Sequence, residues 1–307
     1  MISSSENPGM VHRPVRARRS VLYVPADNAR AMEKAADLSC DAVIFDLEDA
    51  VGPQDKERAR NALSERFAVG SASDKEYVIR INALSGAWGR DDLDMACSCR
   101  PSAILLPKVD AVADIVDAET LLEERAAPPV LRLWAMMETP RGLSNALAIA
   151  DTGSKPGGRL DCLVAGTNDL AKETGVVIPE GRPFMTSWLM QILLAARAAG
   201  LDALDGVYND FRDIEGLRAE CAEGRLMGFD GKTLIHPGQI EPANVAFGVS
   251  PQALADARAI VQAFADPENA GRGVIQLDGR MVERLHLEQA ERLLKKAATQ
   301  HIEGSEP

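Results

Sequence analysis

The stretch RLWAMMETPRGL (132–143) ends an apolar run on a bare carboxylate, Glu138, and turns at once through Pro140 and Gly142. Four other stretches place charged or polar residues after apolar runs in the same way. FDLEDAV (45–51) supplies Asp46, Glu48 and Asp49, and VIRINA (78–83) supplies Arg80 and Asn82. ILLPKV (104–109) supplies Lys108, and AGTNDLAKETG (165–175) supplies Asn168 and Asp169. Carboxylates gathered on one rim repel each other and desolvate at a cost, so they need a cation. Oxygen ligands with no His or Cys nearby suit Mg²⁺, which takes one or two carboxylates and keeps its other positions for water or substrate. Glu138 and Asp169, from separate stretches, form the best pair for that ion. A substrate carbonyl and carboxylate would chelate the open positions, which polarises the carbonyl. Arg80 offers a planar fork matched to a carboxylate. The backbone amides of 166–169, entering a helix, would also hold an anion. Each residue has a plainer reading. Glu138 could simply end a strand, DLED could cap a helix starting near Asp55, and Arg80 could be an ion-pair partner of Glu48. Convergence on one rim is what favours the chemical reading.

Such a rim needs elements that deliver it. Short β-rich runs recur at 20–24, 41–46, 76–82, 102–107, 131–137, 160–165, 201–207 and 232–236. Segments with helical periodicity lie between them, at 28–39, 111–126, 142–151, 187–199 and 211–224. Near-continuous apolar strands alternating with helices predict a parallel sheet covered on both faces. Eight such strands predict an α/β fold, a closed (β/α)8 TIM barrel whose active site lies at the carboxyl ends of the strands. A doubly wound open sheet is the alternative, but no G-x-G-x-x-G follows the first strand. After His236 the pattern changes to a helix over 251–266, a hairpin or irregular loop over 271–283, and a last helix over 284–298. The expected organisation is a flexible N-terminal arm (1–17), a barrel catalytic domain (18–245) and a C-terminal lid segment (246–307) packed outside the barrel.

Composition narrows the function. The formal net charge is -12, from 46 acidic against 34 basic residues, which speaks against a nucleic-acid partner. No apolar run approaches the roughly 18–20 residues that span a membrane. The N-terminus is polar then basic, unlike a secretory signal; a mitochondrial transit peptide is a weak alternative, given Glu6 and little amphipathic pattern. The 5 cysteines (Cys40, Cys97, Cys99, Cys162, Cys221) are scattered and read as reduced thiols of a cytoplasmic protein. The 4 histidines are also scattered, so a zinc site has no support.

At these residues the chain resembles the citrate lyase β-subunit-like (CitE-like) acyl-CoA lyases of the HpcH/HpaI aldolase superfamily, of malyl-CoA or citramalyl-CoA lyase type. The segments that carry the resemblance are RRSVLYVPADN (18–28), FDLEDAV, VIRINA, ILLPKV, METPRGL (137–143), AGTNDLAKETG, VYNDFRD (207–213), MGFDGKTLIHPGQI (227–240) and DGRMVERLHLEQAERLL (278–294), in order along almost the whole chain. The resemblance implies a barrel with a C-terminal lid, in a homotrimer or hexamer. It implies Mg²⁺ on Glu138 and Asp169, a keto-acid carboxylate on Arg80, and Glu48 and Asp49 orienting Arg80 and metal waters. It implies a coenzyme A thioester entering near Tyr23, Arg30, Lys34, Ile235 and His236. The implied reaction is reversible Claisen-type cleavage of a 3-hydroxy-carboxyacyl-CoA to acetyl-CoA and glyoxylate or pyruvate.

Two departures matter. The acid/base of many relatives is a lid Asp before a Pro; the matching residues here are Glu283 and Leu285. The acidic residue that often precedes the metal Asp is Asn168. Other readings are a malyl-CoA thioesterase, a subunit of a citryl-acyl-carrier lyase, a CoA-independent keto-acid aldolase, and a non-enzymatic interaction role, which an intact carboxylate pair disfavours.

Overall fold

A computed structural model describes residues 15–70 and 75–300. Residues 1–14 of the expected arm lie outside the described residues. Eight parallel strands close into a barrel in sequence order, the last pairing with the first. They are β1 Ser20–Pro25, β2 Ala42–Asp46, β3 Glu76–Arg80, β4 Ala103–Leu106, β5 Arg132–Met137, β6 Leu160–Ala165, β7 Asp202–Asp205 and β8 Gly231–Leu234. The helices of this unit are α1 Ala29–Lys34, α2 Lys56–Ala68, α3 Gly89–Cys99, α4 Val112–Glu124, α5 Pro140–Ser144, α6 Ala146–Ser154, α7 Thr167–Thr174, α8 Thr186–Ala198, α9 Ile214–Met227 and α10 Ile240–Phe247.

Side-chain alternation explains why most of the strands carry apolar residues on both faces. Val21, Ala42, Ile44, Val78, Leu105, Trp134, Met136, Cys162 and Val164 form a small cluster that fills the barrel. Their strand neighbours Leu22, Val43, Phe45, Ile79, Ile104, Leu133 and Leu163 join the larger cluster under the helices. Successive residues point to opposite faces, and here both faces are buried. The amino-terminal end of the barrel is closed by Arg18, which is 2% exposed and pairs with Glu76 (2.8 Å), Asp161 (2.6 Å) and Asp202 (2.9 Å) beneath the Trp134 ring.

Some predicted helices change length. The expected helix at 28–39 stops at Lys34. The one at 142–151 is two, α5 and α6, parted at Asn145, whose side-chain amide donates to the Asp110 carbonyl at 2.8 Å. Helices α3 and α10 had no predicted counterpart, and α2 was foreseen only as a start near Asp55. Helix α2 is mostly polar and buries only Lys56, Ala59 and Leu63, so its apolar periodicity is faint.

The described chain divides by its contacts into a unit over Arg18–Phe247 and a second made of 15–17 and the chain from Gly248 on. The second unit holds α11 Pro251–Ala265, a two-stranded antiparallel sheet of β9 Val274–Leu277 and β10 Arg280–Glu283, and α12 Arg284–Thr299. The hairpin turns through Asp278 (φ 48°) and Gly279 (φ 77°), the left-handed pair that matches the twist of its strands. No described helix is long and apolar enough to cross a membrane.

Candidate active site

The interior register of the strands continues past their ends into a cavity. Tyr23 follows Val21, Asp46 follows Ile44, Arg80 follows Val78, and Glu138 follows Met136, each two residues on. These side chains, with Asp49, Met136, Gly166, Asn168, Asp169 and Ile235, line a cavity of about 370 Å³ at the carboxyl ends of the strands. Two-residue periodicity thus converts the filled interior into a polar mouth.

Arg80 is 7% exposed and anchored from behind. Its Nε and Nη2 donate to the two oxygens of Asp46 at 2.7 and 2.6 Å. Asp46 also accepts the backbone amides of Glu48 (2.9 Å) and Ala50 (3.2 Å), so its side chain serves its own turn and does not cap α2. Nη1 is left at the mouth, 3.0 Å from Glu48 and 3.5 Å from Asp49. The Arg80 guanidinium also lies 5.0 Å from the centre of the Tyr23 ring. Its plainer reading, a pair with Glu48, is therefore present, but the main partner is Asp46 and the residue still lines the cavity. Glu48 has a second partner, the Lys108 ammonium. Burial raises the Glu48 carboxyl above its ordinary value, against the pull of Arg80 and Lys108.

Asn82 is not in the cavity lining. It props the loop below, donating to Leu47 O (3.0 Å) and Asp92 (2.6 Å) and accepting from Lys56 (2.8 Å). Lys56, 5% exposed, also donates to Leu47 O and Glu48 O at 2.7 Å. This buried lysine fixes the DLED turn and was not singled out from the sequence; its place in a charged, weakly periodic helix hid it.

Glu138 is 1% exposed, and its Oε1 accepts the Lys108 backbone N–H at 2.7 Å. Burial and then the charge of Glu48 push its carboxyl up to about 8. Gly166 packs against it: a Cβ there would sit 2.3 Å from Glu138 Cβ and 2.8 Å from Oε2. Asp169 reaches the same cavity from the first turn of α7, half-buried. Asn168 and Asn209 exchange side-chain hydrogen bonds at 3.1 and 2.8 Å, an exchange that a carboxylate at 168 could not complete.

The donor set fits a magnesium-like ion. Among the described residues no group of three or more His, Cys, Asp or Glu is arranged around one point. Beside Asp46 and Asp49, which face Arg80, the cavity offers two further carboxylates, Glu138 and Asp169, and open space, as an ion that keeps water or substrate oxygens requires. A desolvated carboxylate with a raised pKa is also a group that a cation would stabilise in its charged form.

Of the residues expected near a thioester, Tyr23 and Ile235 line the cavity. The Tyr23 hydroxyl faces Met136 Sδ at 3.4 Å, and burial raises it far above its usual range. Arg30 and Lys34 lie exposed on α1 and do not line it. Exposed His236 also lies outside the lining; it stacks on Phe211 with centroids 4.9 Å apart, and its Nδ1 accepts the Gly238 N–H at 3.1 Å. Glu283 belongs to the second unit. It is the N-cap residue of α12, and its backbone N–H donates to His286 Nδ1 at 3.0 Å. All five cysteines are free.

The chain is similar to known proteins over most of its length. Residues 19–237 match HpcH/HpaI aldolase/citrate lyase. A (3S)-malyl-CoA thioesterase of Cereibacter sphaeroides is 47% identical over 279 residues, covering 91% of this chain and 94% of that protein. The citrate lyase subunit beta of Escherichia coli is 33% identical over 303 residues, covering 97% of each. The crystal structure of CitE from Mycobacterium tuberculosis, in complex with magnesium, acetoacetate and coenzyme A, superposes with a TM-score of 0.71 at 32% identity, covering 91% of this chain and 97% of that one.

Proposed function

The chain belongs to the HpcH/HpaI aldolase/citrate lyase family, and from that premise we propose that it is a Mg²⁺-dependent acyl-CoA lyase. Its substrate would be a 3-hydroxy-carboxyacyl-CoA such as malyl-CoA or citramalyl-CoA, cleaved reversibly to acetyl-CoA and glyoxylate or pyruvate. The observation that carries the reading is one cavity lined by Glu138, Asp169 and Arg80. The CitE structure with magnesium, acetoacetate and coenzyme A supports it.

Glu138 and Asp169 would hold the ion, which when bound polarises the oxygen of the keto-acid half. The chain's own residues do the rest. Arg80, held by Asp46, presents Nη1 to the carboxylate of that half and fixes its orientation. Asp49 and Glu48 keep the guanidinium aimed. Tyr23 and Met136 wall the reacting carbons, Ile235 lies at the thioester side, and Arg30, Lys34 and His236 are the exposed groups proposed for the rest of coenzyme A. As the C–C bond breaks, the substrate hydroxyl passes its proton to solvent and the acetyl carbon gains one, so no net proton is consumed. Glu283 is the proposed donor, and a cytoplasmic homo-oligomer the proposed assembly.

A thioesterase is the second reading, because the Cereibacter relative carries that name. It would give malate and free coenzyme A in place of glyoxylate and acetyl-CoA. Incubation with malyl-CoA, citramalyl-CoA and citryl-CoA, with and without Mg²⁺, separates the readings by product. Metal-dependent acetyl-CoA and keto acid support the lyase; free coenzyme A without keto acid supports the thioesterase; turnover in EDTA refutes the metal site.

A further inference from the structure

Lys108, at the end of β4, serves two acids with two different groups. Its backbone N–H donates to Glu138 Oε1 at 2.7 Å. Its ammonium pairs with Glu48. Its φ of 49° lies in the left-handed region, where a residue with a Cβ is strained. Glycine would aim the same amide without that strain. The side chain must therefore earn its place by a second role, and Glu48 shows what it is.

Charges at the mouth are unbalanced. Asp46, Asp49, Glu138, Asp169 and Arg80 line the cavity, and Glu48 and Lys108 touch that lining at Arg80 and Glu138. Arg80 has committed Nε and Nη2 to Asp46. Its remaining Nη1, the group an anionic ligand needs, already lies 3.0 Å from Glu48. With the Lys108 ammonium in place, Glu48 has a second cation and its charge is offset. Without it, Glu48 would depend on Nη1 alone, in competition with the ligand, and would add an uncompensated negative charge beside Glu138.

We propose that Lys108 is a positioning residue which, by neutralising Glu48, keeps Nη1 of Arg80 available to the keto-acid carboxylate and limits the negative potential at the cation site. This rests on the proposed function. It has a signature that packing would not produce, because the two ligands have opposite charge. Removing the ammonium strengthens cation binding and weakens anion binding. The Lys108 side chain is 38% exposed, so its charge acts through a mostly aqueous dielectric of about 40–80, and over about 5–8 Å its removal changes each affinity by roughly 3–20-fold.

The test titrates Mn²⁺ by electron paramagnetic resonance, then pyruvate by calorimetry at saturating Mg²⁺, on the full chain. Lys108→Met should bind Mn²⁺ about 3–10-fold more tightly and pyruvate about 5–20-fold more weakly. Lys108→Gly, which relieves the left-handed φ, should shift both constants the same way as Lys108→Met. Lys108→Arg should stay near wild type in both. Adding Glu48→Gln to Lys108→Met should return both constants toward wild type. If Lys108→Met and Lys108→Gly weaken both ligands together, the residue only holds Glu138 in place and the proposal fails. If wild-type protein binds neither Mn²⁺ nor pyruvate, the functional reading itself fails, and this proposal with it.

Discussion

Arg80→Lys keeps the charge and removes the fork. In the wild-type site Nε and Nη2 are 2.7 and 2.6 Å from Asp46, while Nη1 remains at the cavity, 3.0 Å from Glu48. One ammonium cannot occupy both places. Asp46, 2% exposed and already fixed by two backbone amides, is the anion that would hold it. The keto-acid carboxylate then loses its charge-assisted hydrogen bond, worth about 1.5–3 kcal/mol, or roughly 10–100-fold in affinity. Calorimetric titration of the Mg²⁺-loaded variant with pyruvate and glyoxylate should show that loss. Mn²⁺ affinity in the absence of keto acid should change by no more than about 3-fold, since the net charge at the mouth is the same. Condensation kinetics should show a raised KM for the keto acid. Unchanged pyruvate affinity would refute the assignment of Nη1 as the anion contact.

The remaining predictions concern the metal ligands, their packing and the proton donor. Glu138 has a raised pKa and must be ionised to bind a cation, so divalent affinity should rise with pH from the ordinary carboxylate range and level off above about 8. The same shift means the folded apo protein binds a proton that the unfolded chain has released. Apo stability should therefore fall as pH rises over that window and level off above it, and Glu138→Gln should remove both trends in Mn²⁺ titrations and denaturant melts. Gly166→Ala should weaken Mn²⁺ binding at least 10-fold and cost about 1–3 kcal/mol of stability, because the new Cβ would meet Glu138 Cβ at 2.3 Å; wild-type affinity would show that the carboxylate has room to move. Glu283→Gln should slow cleavage by roughly 10²–10⁴-fold with Mg²⁺ and pyruvate binding near wild type, and Glu283→Asp should retain part of the rate. Normal turnover with a lowered melting temperature would show that Glu283 only caps α12, and recovered activity on mixing Glu283→Gln with Glu138→Ala subunits would show that it acts on a neighbour.

The barrel was legible because most of its strands are buried on both faces and so read as apolar runs, β7 (DALD) and β8 (GKTL) least of all. That property also hid the finer register. Ala42, Ile44 and Asp46 face inward while Val43 and Phe45 face the helices, but a strand that is apolar on both sides does not announce which parity is which. The carboxylates of FDLED could be counted from the sequence, yet the partner that takes the fork of Arg80 could not be chosen among them. The strand-end positions of Glu138, Asp169 and Arg80 were legible, since polar residues after apolar runs mark the rim. The backbone role of Lys108 was not, because nothing in a lysine signals a left-handed φ. Gly166 carried a signal that went partly unread, a glycine at the start of a helix where a neighbouring side chain approaches closely.

A crystal structure of the protein grown with Mn²⁺ and pyruvate, phased on manganese anomalous scattering, would test the central claim most directly. The account predicts one manganese site bound by Glu138 and Asp169, chelated by the carbonyl and one carboxylate oxygen of pyruvate, with Nη1 of Arg80 hydrogen-bonded to that carboxylate. Manganese bound by other residues, or pyruvate remote from Arg80, would contradict it.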